Sequence, residues 1–272
     1  MSKVAQALSI AGSDSGGGAG IQADLKTFQE RGVFGTTAIT AITAQNTTGV
    51  FDIHQIPLET IQSQLKAIAD DFDIKAFKVG MLGSQEVITC VANCIKKYDF
   101  GYFVLDPVMI SKGGVALLQE NATKALKEEL IPLCDIITPN LPEAKALTNI
   151  DINDKQSARK AALKLQEMGA KIVIIKGGHT DNSTSEICED WVFTQDEEFT
   201  LSAVRFDTVQ THGTGCTFSA CITAQLAKGN SIKESIVLAK DFISAAISNP
   251  LNIGSGHGPT NHWAYSLKDK NV

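Results

Sequence analysis

The chain has 272 residues, 43% of them hydrophobic and 20% charged, which is enough to bury a full core and far from the composition of disordered or collagen-like chains. A formal charge of −6 and the lack of any run of five lysines or arginines argue against a nucleic-acid partner. The first eleven residues are only briefly apolar and run into glycines, unlike a secretory signal or a membrane span of about 20 residues. A cytoplasmic protein without membrane contact is therefore expected.

Short apolar segments alternate with longer helical patterns, the mark of a mostly parallel sheet covered on both faces. Strands are predicted over residues 5–11, 37–44, 76–79, 102–105, 135–138 and 171–176, and helices over 20–31, 58–71, 84–98, 115–130, 142–147, 154–168, 215–228 and 231–248. Residues 186–193 and 198–205, separated by Thr194-Gln195-Asp196-Glu197, read as a small antiparallel edge, and residues 181–185 as a polar loop. Ser231 followed by Glu234 is a capping box ahead of the last long helix. With no repeat and no Pro/Ser-rich linker, residues 1–272 read as one α/β domain. The six cysteines show no C-x-x-C pair and no zinc spacing, so reduced thiols are expected.

Ligands of an open α/β sheet bind beyond the carboxyl ends of the strands, which makes the polar clusters there the functional candidates. The first is Gly12-Ser13-Asp14-Ser15-Gly16-Gly17-Gly18-Ala19-Gly20. Within it, Gly18 to Ala23 fits the G-x-G-x-x-A dinucleotide fingerprint, but the second strand ends Thr43-Ala44-Gln45-Asn46-Thr47, without the acid that would hold a ribose. A substrate-contacting loop or a plain glycine-rich turn are the other readings. Gln45 offers a planar pair of donor and acceptor suited to the edge of an aminopyrimidine. Asp24 could accept from a substrate hydroxyl, and Met81 could lie against a flat ring. Each also has an ordinary structural reading, in a turn, near a helix start or in a core gap.

Asp106-Pro107-Val108-Met109 and Thr138-Pro139-Asn140-Leu141-Pro142-Glu143 follow two middle strands, where Asp106 and Glu143 could hold magnesium against phosphates. Asp106 and Asn140 also suit turns beside proline. Lys176-Gly177-Gly178-His179 closes another strand, its lysine either a snorkelling edge residue or a neutraliser of phosphate charge. No Walker A tripeptide exists, so a phosphate needs another cradle. Thr211-His212-Gly213-Thr214-Gly215-Cys216-Thr217-Phe218-Ser219, just before an apolar helix, supplies one. About four amides at a helix start lack partners, the dipole adds positive charge, and Gly213 and Gly215 let a phosphoryl group approach. The same field is expected to lower the Cys216 thiol pKa and leave it partly ionised. His212 borders this turn as a supporting group or a plain turn residue, while His54, His257 and His262 receive no role. Together these elements point to phosphoryl transfer.

Taken in order, Ala11 to Asp24, Thr43 to Thr47, Asp106 to Met109, Thr138 to Ala144, Lys176 to His179 and Thr211 to Ser219 resemble the hydroxymethylpyrimidine/phosphomethylpyrimidine kinases of the ribokinase-like superfamily, over nearly the whole chain. The resemblance implies a homodimeric, ATP- and Mg2+-dependent enzyme of thiamine biosynthesis that phosphorylates 4-amino-5-hydroxymethyl-2-methylpyrimidine and then its monophosphate. It further implies that Gln45, Asp24, Gly12 and Met81 bind the pyrimidine, that Asn140, Lys176 and Thr214 bind the nucleotide, and that Asp106 and Glu143 serve the metal. Gly213, Gly215, Cys216 and Lys176 are the implied catalytic set, with Cys216 where the wider superfamily carries an aspartate base. A pyridoxal or pyridoxine kinase is the related alternative, and a non-catalytic pyrimidine sensor the alternative of another class.

Overall fold

A computed structural model describes residues 4–109, 121–177 and 186–268. The chain runs β1 (Gln6–Ala11), α1 (Gly20–Glu30), β2 (Phe34–Ile39), β3 (Ala41–Asn46), β4 (Gly49–Gln55), α2 (Leu58–Asp71), β5 (Ala76–Val79), α3 (Gln85–Lys97) and β6 (Tyr102–Leu105). It continues with α4 (Ala122–Ala125), a π turn (Leu126–Leu130), a 3-10 turn (Ile131–Leu133), β7 (Ile136–Ile137), α5 (Leu141–Thr148), α6 (Lys155–Glu167) and β8 (Ile172–Lys176). The last elements are β9 (Ile187–Phe193), β10 (Glu198–Val204), α7 (Thr214–Ala227), α8 (Ile232–Ser248) and α9 (Ala264–Lys268).

Among the described residues, eight strands form one sheet in the order β10-β9-β8-β7-β6-β5-β1-β2. The pairs from β2 to β8 are parallel, and β8, β9 and β10 pair antiparallel at the edge, as the polar break at 194–197 predicts. Side chains alternate between the two faces of each strand. Leu8, Ile10, Phe77, Val79, Phe103 and Leu105 face α2 and α3, while Ala7, Ala76 and Val104 face α7 and α8. Lys78, between Phe77 and Val79, thus falls on the α7 face. From Thr217 to Ala227, α7 is buried on every side, as expected of a helix that is apolar all round. The capping box at Ser231 and Glu234 starts α8 as expected.

Two predicted elements come out differently. The strand expected over 37–44 is two strands, because Thr40 turns the chain out of the sheet. Its amide donates to Ala11 O at 3.0 Å, its hydroxyl to Met81 O at 2.9 Å, and its carbonyl accepts from Ile56 N at 3.0 Å. The released segment, β3, pairs only with β4, in a separate two-stranded antiparallel sheet. Part of the helix expected over 115–130 lies outside the described residues, as do 181–185 and the Gly178-His179 half of its motif. Its described end widens into the π turn, since Pro132 has no amide to give Glu128.

Candidate active site

The strand order reverses around β1, whose crossover leads to β2 on one side while β5 to β8 extend on the other. Such a switch point leaves a crevice at the strand ends. A cavity of about 440 Å³ lies there, lined by Gly12, Gln45, Lys78, Met81, Asp106, Asn140, Glu143, Lys176 and residues 213–216 among others.

One end is built by β1 and the β3–β4 hairpin. A side chain on Gly12 would fall on the terminal carbon of Met81, so the glycine makes room for that thioether. Thr43 and Gln45 share the inner face of β3, and a register shift between Ala44 and Gln45 leaves Phe51 of β4 as the extra residue. The glycine cluster does not cradle a pyrophosphate. Its amides at Gly16, Gly18 and Ala19 donate at 2.8, 3.0 and 2.9 Å to the carboxylate of Asp14, an acceptor built into the loop. Burial works to raise the Asp14 pKa, but bonds from His212 and these amides hold it below the ordinary carboxylate value. His212 Nε2 lies 2.8 Å from Asp14 Oδ2 and 3.2 Å from Gln45 Nε2.

The other end is the start of α7. Gly213 is its N-cap in the left-handed region, φ 81°, with no side-chain cap, and a Cβ there would fall on the Gly18 carbonyl oxygen. Only glycine lets these two loops meet. The Thr214 amide turns back to Thr211 O at 3.3 Å, and those of Gly215 and Cys216 take no protein partner among the described residues. Gly215 borders Lys176 and Asp106: a Cβ on it would sit 3.3 Å from Lys176 Nζ and 3.5 Å from Asp106 Oδ2. Lys176 Nζ lies 3.1 Å from Asp106 Oδ1. Burial works to lower the lysine, but Asp106 and Glu143 outweigh it and keep the ammonium charged.

Asn140 and Glu143 form a capping box at α5: Asn140 Oδ1 accepts from Glu143 N and Glu143 Oε2 from Asn140 N, both at 2.8 Å. Burial pushes the Glu143 carboxyl up to about 7, against the pull of Lys176.

Two expectations need correction. Asp24 does not line the cavity. It is fully buried behind it, 2.7 Å from Lys78 Nζ and accepting from Ser9 Oγ at 2.6 Å. Burial raises its carboxyl, partly offset by Lys78, while Lys78, surrounded by Asp24, Cys216 and Asp106, holds its proton more tightly than usual despite burial. Cys216, in turn, is not ionised by the helix field. Burial pushes its thiol up to about 11, with Lys78 the main opposing influence. The field of a helix start is outweighed by loss of water around the sulfur.

Lys78 and Asp14 were missed as site residues. Lys78 did leave a signal, a lone charge inside a four-residue apolar strand. Val204, Phe206, Ile243 and Ile247, which supply an apolar slot in the lining of the same cavity, left none, because they come from β10, the loop after it and α8.

A family model described as phosphomethylpyrimidine kinase matches residues 14–261. The chain is 66% identical to a hydroxymethylpyrimidine/phosphomethylpyrimidine kinase of Haemophilus influenzae, over 98% of this chain and 99% of that one. It is 45% identical to the thiamine biosynthesis bifunctional protein ThiED of Geobacter sulfurreducens, over 94% of this chain and 51% of that one. Among solved structures, the pyridoxal kinase of Bacillus subtilis in an ADP complex superposes with a TM-score of 0.88 at 41% identity, over 97% of this chain and all of that one.

Proposed function

The chain belongs to the phosphomethylpyrimidine kinase family, and from that membership we propose that it transfers the γ-phosphoryl group of ATP to the hydroxymethyl oxygen of 4-amino-5-hydroxymethyl-2-methylpyrimidine. A second transfer, to the resulting monophosphate, yields the diphosphate used in thiamine biosynthesis. The observation that carries the reading is one cavity lined by Gly215 and Cys216, whose amides take no protein partner among the described residues, by Lys176 beside Gly215, and by Gln45 and Met81.

Phosphoryl transfer has a loose transition state, with charge spread over the moving group, so catalysis is mostly positioning and electrostatic stabilisation. The α7 amides and the Lys176 ammonium meet that charge. Gln45 holds the ring edge and Met81 its face, which aims the hydroxymethyl group at the amides. Thr214 and Asn140 border the phosphates, and the slot of Val204, Phe206, Ile243 and Ile247 suits the nucleotide base. Cys216 begins as a neutral thiol. Its ionisation is favoured by Lys78 and opposed by burial, so the amides and Lys176 carry the larger share.

Asp106 and Glu143 fit a magnesium ion. They offer only oxygen donors and are both buried, and the Glu143 carboxyl, pushed up to about 7 chiefly by burial, would be held in its ionised form by a dication. Magnesium takes one or two carboxylates and keeps several waters; when bound it would neutralise phosphate charge. The family resemblance also supports a homodimer, which sedimentation would test. The six free cysteines support a reducing, cytoplasmic setting.

The test is ADP release by purified protein with each substrate. The expected result is turnover with the pyrimidine at a higher kcat/KM than with pyridoxine. A clear preference for pyridoxine, the reading favoured by the structural match to a pyridoxal kinase, would overturn the substrate. No ADP release with any hydroxymethyl ring would leave a sensor.

A further inference from the structure

The neighbours of the Gln45 amide carry a countable number of protons, and the count at each end can be made independently. Gln45 Oε1 lies 3.4 Å from Thr43 Oγ1, and Gln45 Nε2 lies 3.2 Å from His212 Nε2. Thr43 has one hydroxyl proton and is 2.9 Å from the carbonyl oxygen of Ser13. A carbonyl only accepts, so the proton goes there. Thr43 then turns only lone pairs toward Gln45, and an amide oxygen opposite them is repelled. At the other end, His212 Nε2 lies 2.8 Å from Asp14 Oδ2, on a carboxylate already accepting three amides. An ionised carboxylate only accepts, so His212 must carry its proton on Nε2. That N–H then meets the N–H of Gln45, again like against like. Turning the amide by 180° cures both ends at once, with the His212 Nε2–H shared between Asp14 Oδ2 and the amide oxygen and the amide nitrogen donating to Thr43. Amide nitrogen and oxygen are nearly equal in size, so nothing in the packing opposes the turn.

We propose that Asp14 and His212, together with Thr43, are positioning residues that lock the polarity of the Gln45 amide and so make the pocket select a 4-amino over a 4-oxo pyrimidine. The inference rests on the proposed function for its substrate. In the locked orientation, Gln45 keeps one acceptor on the His212 side and one donor on the Thr43 side. The amino group of the pyrimidine adjoins the carbon that carries the hydroxymethyl group. With that group directed at the start of α7, which His212 immediately precedes, the amino group falls to the His212 side and meets the acceptor. The neighbouring ring nitrogen, an acceptor, meets the donor. A 4-oxo ring presents the reverse pattern, a carbonyl followed by a ring N–H, and is opposed at both positions.

The test compares kcat/KM for 5-hydroxymethyl-2-methylpyrimidines bearing 4-amino or 4-oxo. The wild type is expected to prefer the amino ring by about 100-fold or more, since a site built to hydrogen-bond one pattern strongly rejects its inverse. In His212→Leu/Thr43→Val the amide is free to turn, and the preference is expected to fall below about 10-fold, borne mainly by KM. A merely structural loss would lower both substrates together and leave the ratio intact, which would overturn the proposal, as would a wild type without preference. A measurement on the unaltered protein stands beside it: the 15N spectrum of His212 is expected to show a protonated Nε2, and a neutral ring protonated only at Nδ1 would overturn the lock. If the wild type phosphorylates neither ring, the proposed function fails, while the histidine spectrum still decides the polarity.

Discussion

Cys216 and Lys78 form one electrostatic unit with Asp24, and each can be questioned separately. With its thiol near 11 instead of the ordinary 9, the free enzyme holds about a hundredfold less Cys216 thiolate at neutral pH than a solvated thiol would, and the thiolate is the reacting form. Iodoacetamide modification of Cys216, followed by peptide mass mapping, is therefore expected to be slow at pH 7 and to climb steadily as pH rises toward 11. A rate already maximal near pH 7 would mean that Lys78 outweighs burial. Lys78 and Asp24 are both fully buried, so removing Lys78 leaves a buried carboxyl with only the Ser9 hydroxyl donating to it. Lys78→Met is expected to cost about 3–5 kcal/mol in urea unfolding, and Lys78→Met/Asp24→Leu to recover most of it, because a buried pair replaced by apolar groups is close to neutral.

The start of α7 and the β3–β4 hairpin are the two elements that make the cavity reactive and selective. The first depends on close backbone approach, with Gly213 in the left-handed region against the Gly18 carbonyl. Gly213→Ala is expected to cost more stability than the backbone strain alone, about 1–3 kcal/mol, because its Cβ also meets the Gly18 carbonyl oxygen. It should also lower kcat by about a hundredfold, since a displacement of the amides by even an ångström spoils alignment with the phosphoryl group. Urea midpoints and steady-state rates read the two effects separately. The hairpin stands apart from the main sheet and is tied to it through Thr40 at its base. Gln45 thus reaches the cavity from an element that the sheet itself does not hold.

Two buried groups enter the pH dependence of folding with opposite signs. His262, buried against Thr217 at 3.0 Å, has its pKa lowered from 6.5 to about 4, chiefly by burial. Between those values the unfolded chain binds a proton that the native state refuses, so the contribution of His262 is complete above pH 6.5 and is lost as pH falls through about 4. Glu143 acts in the opposite sense. Its carboxyl is raised from 4.5 to about 7 by burial, so its contribution is complete below pH 4.5 and is lost as pH rises through 7. In the native protein the two partly cancel. His262→Gln removes one of them, and relative to the wild type the variant is expected to gain of the order of 3 kcal/mol between pH 7 and 4 in guanidinium unfolding. An unchanged difference would mean that His262 titrates normally.

Local pattern carried the parallel core, the antiparallel edge and the starts of α7 and α8. Apolar period, capping residues and glycine placement are chosen by contacts within a few positions, and those are legible in the chain. The same is true of Gly12, Gln45, Met81, Asp106, Lys176 and residues 213–216, which sit where strands end and therefore fall on one rim. Contacts across long separations left no such mark. The break at Thr40 depends on Ala11, Met81 and Ile56 as partners, Asp24 was withdrawn from the cavity by Lys78, 54 residues away, and the apolar slot joins residues of β10 to α8. Cys216 is the clearest case: its position at a helix start follows from the glycines around it, but its protonation is set by how completely the folded chain strips water from the sulfur, a cost that outweighs the helix field and exists only once distant segments have closed over it.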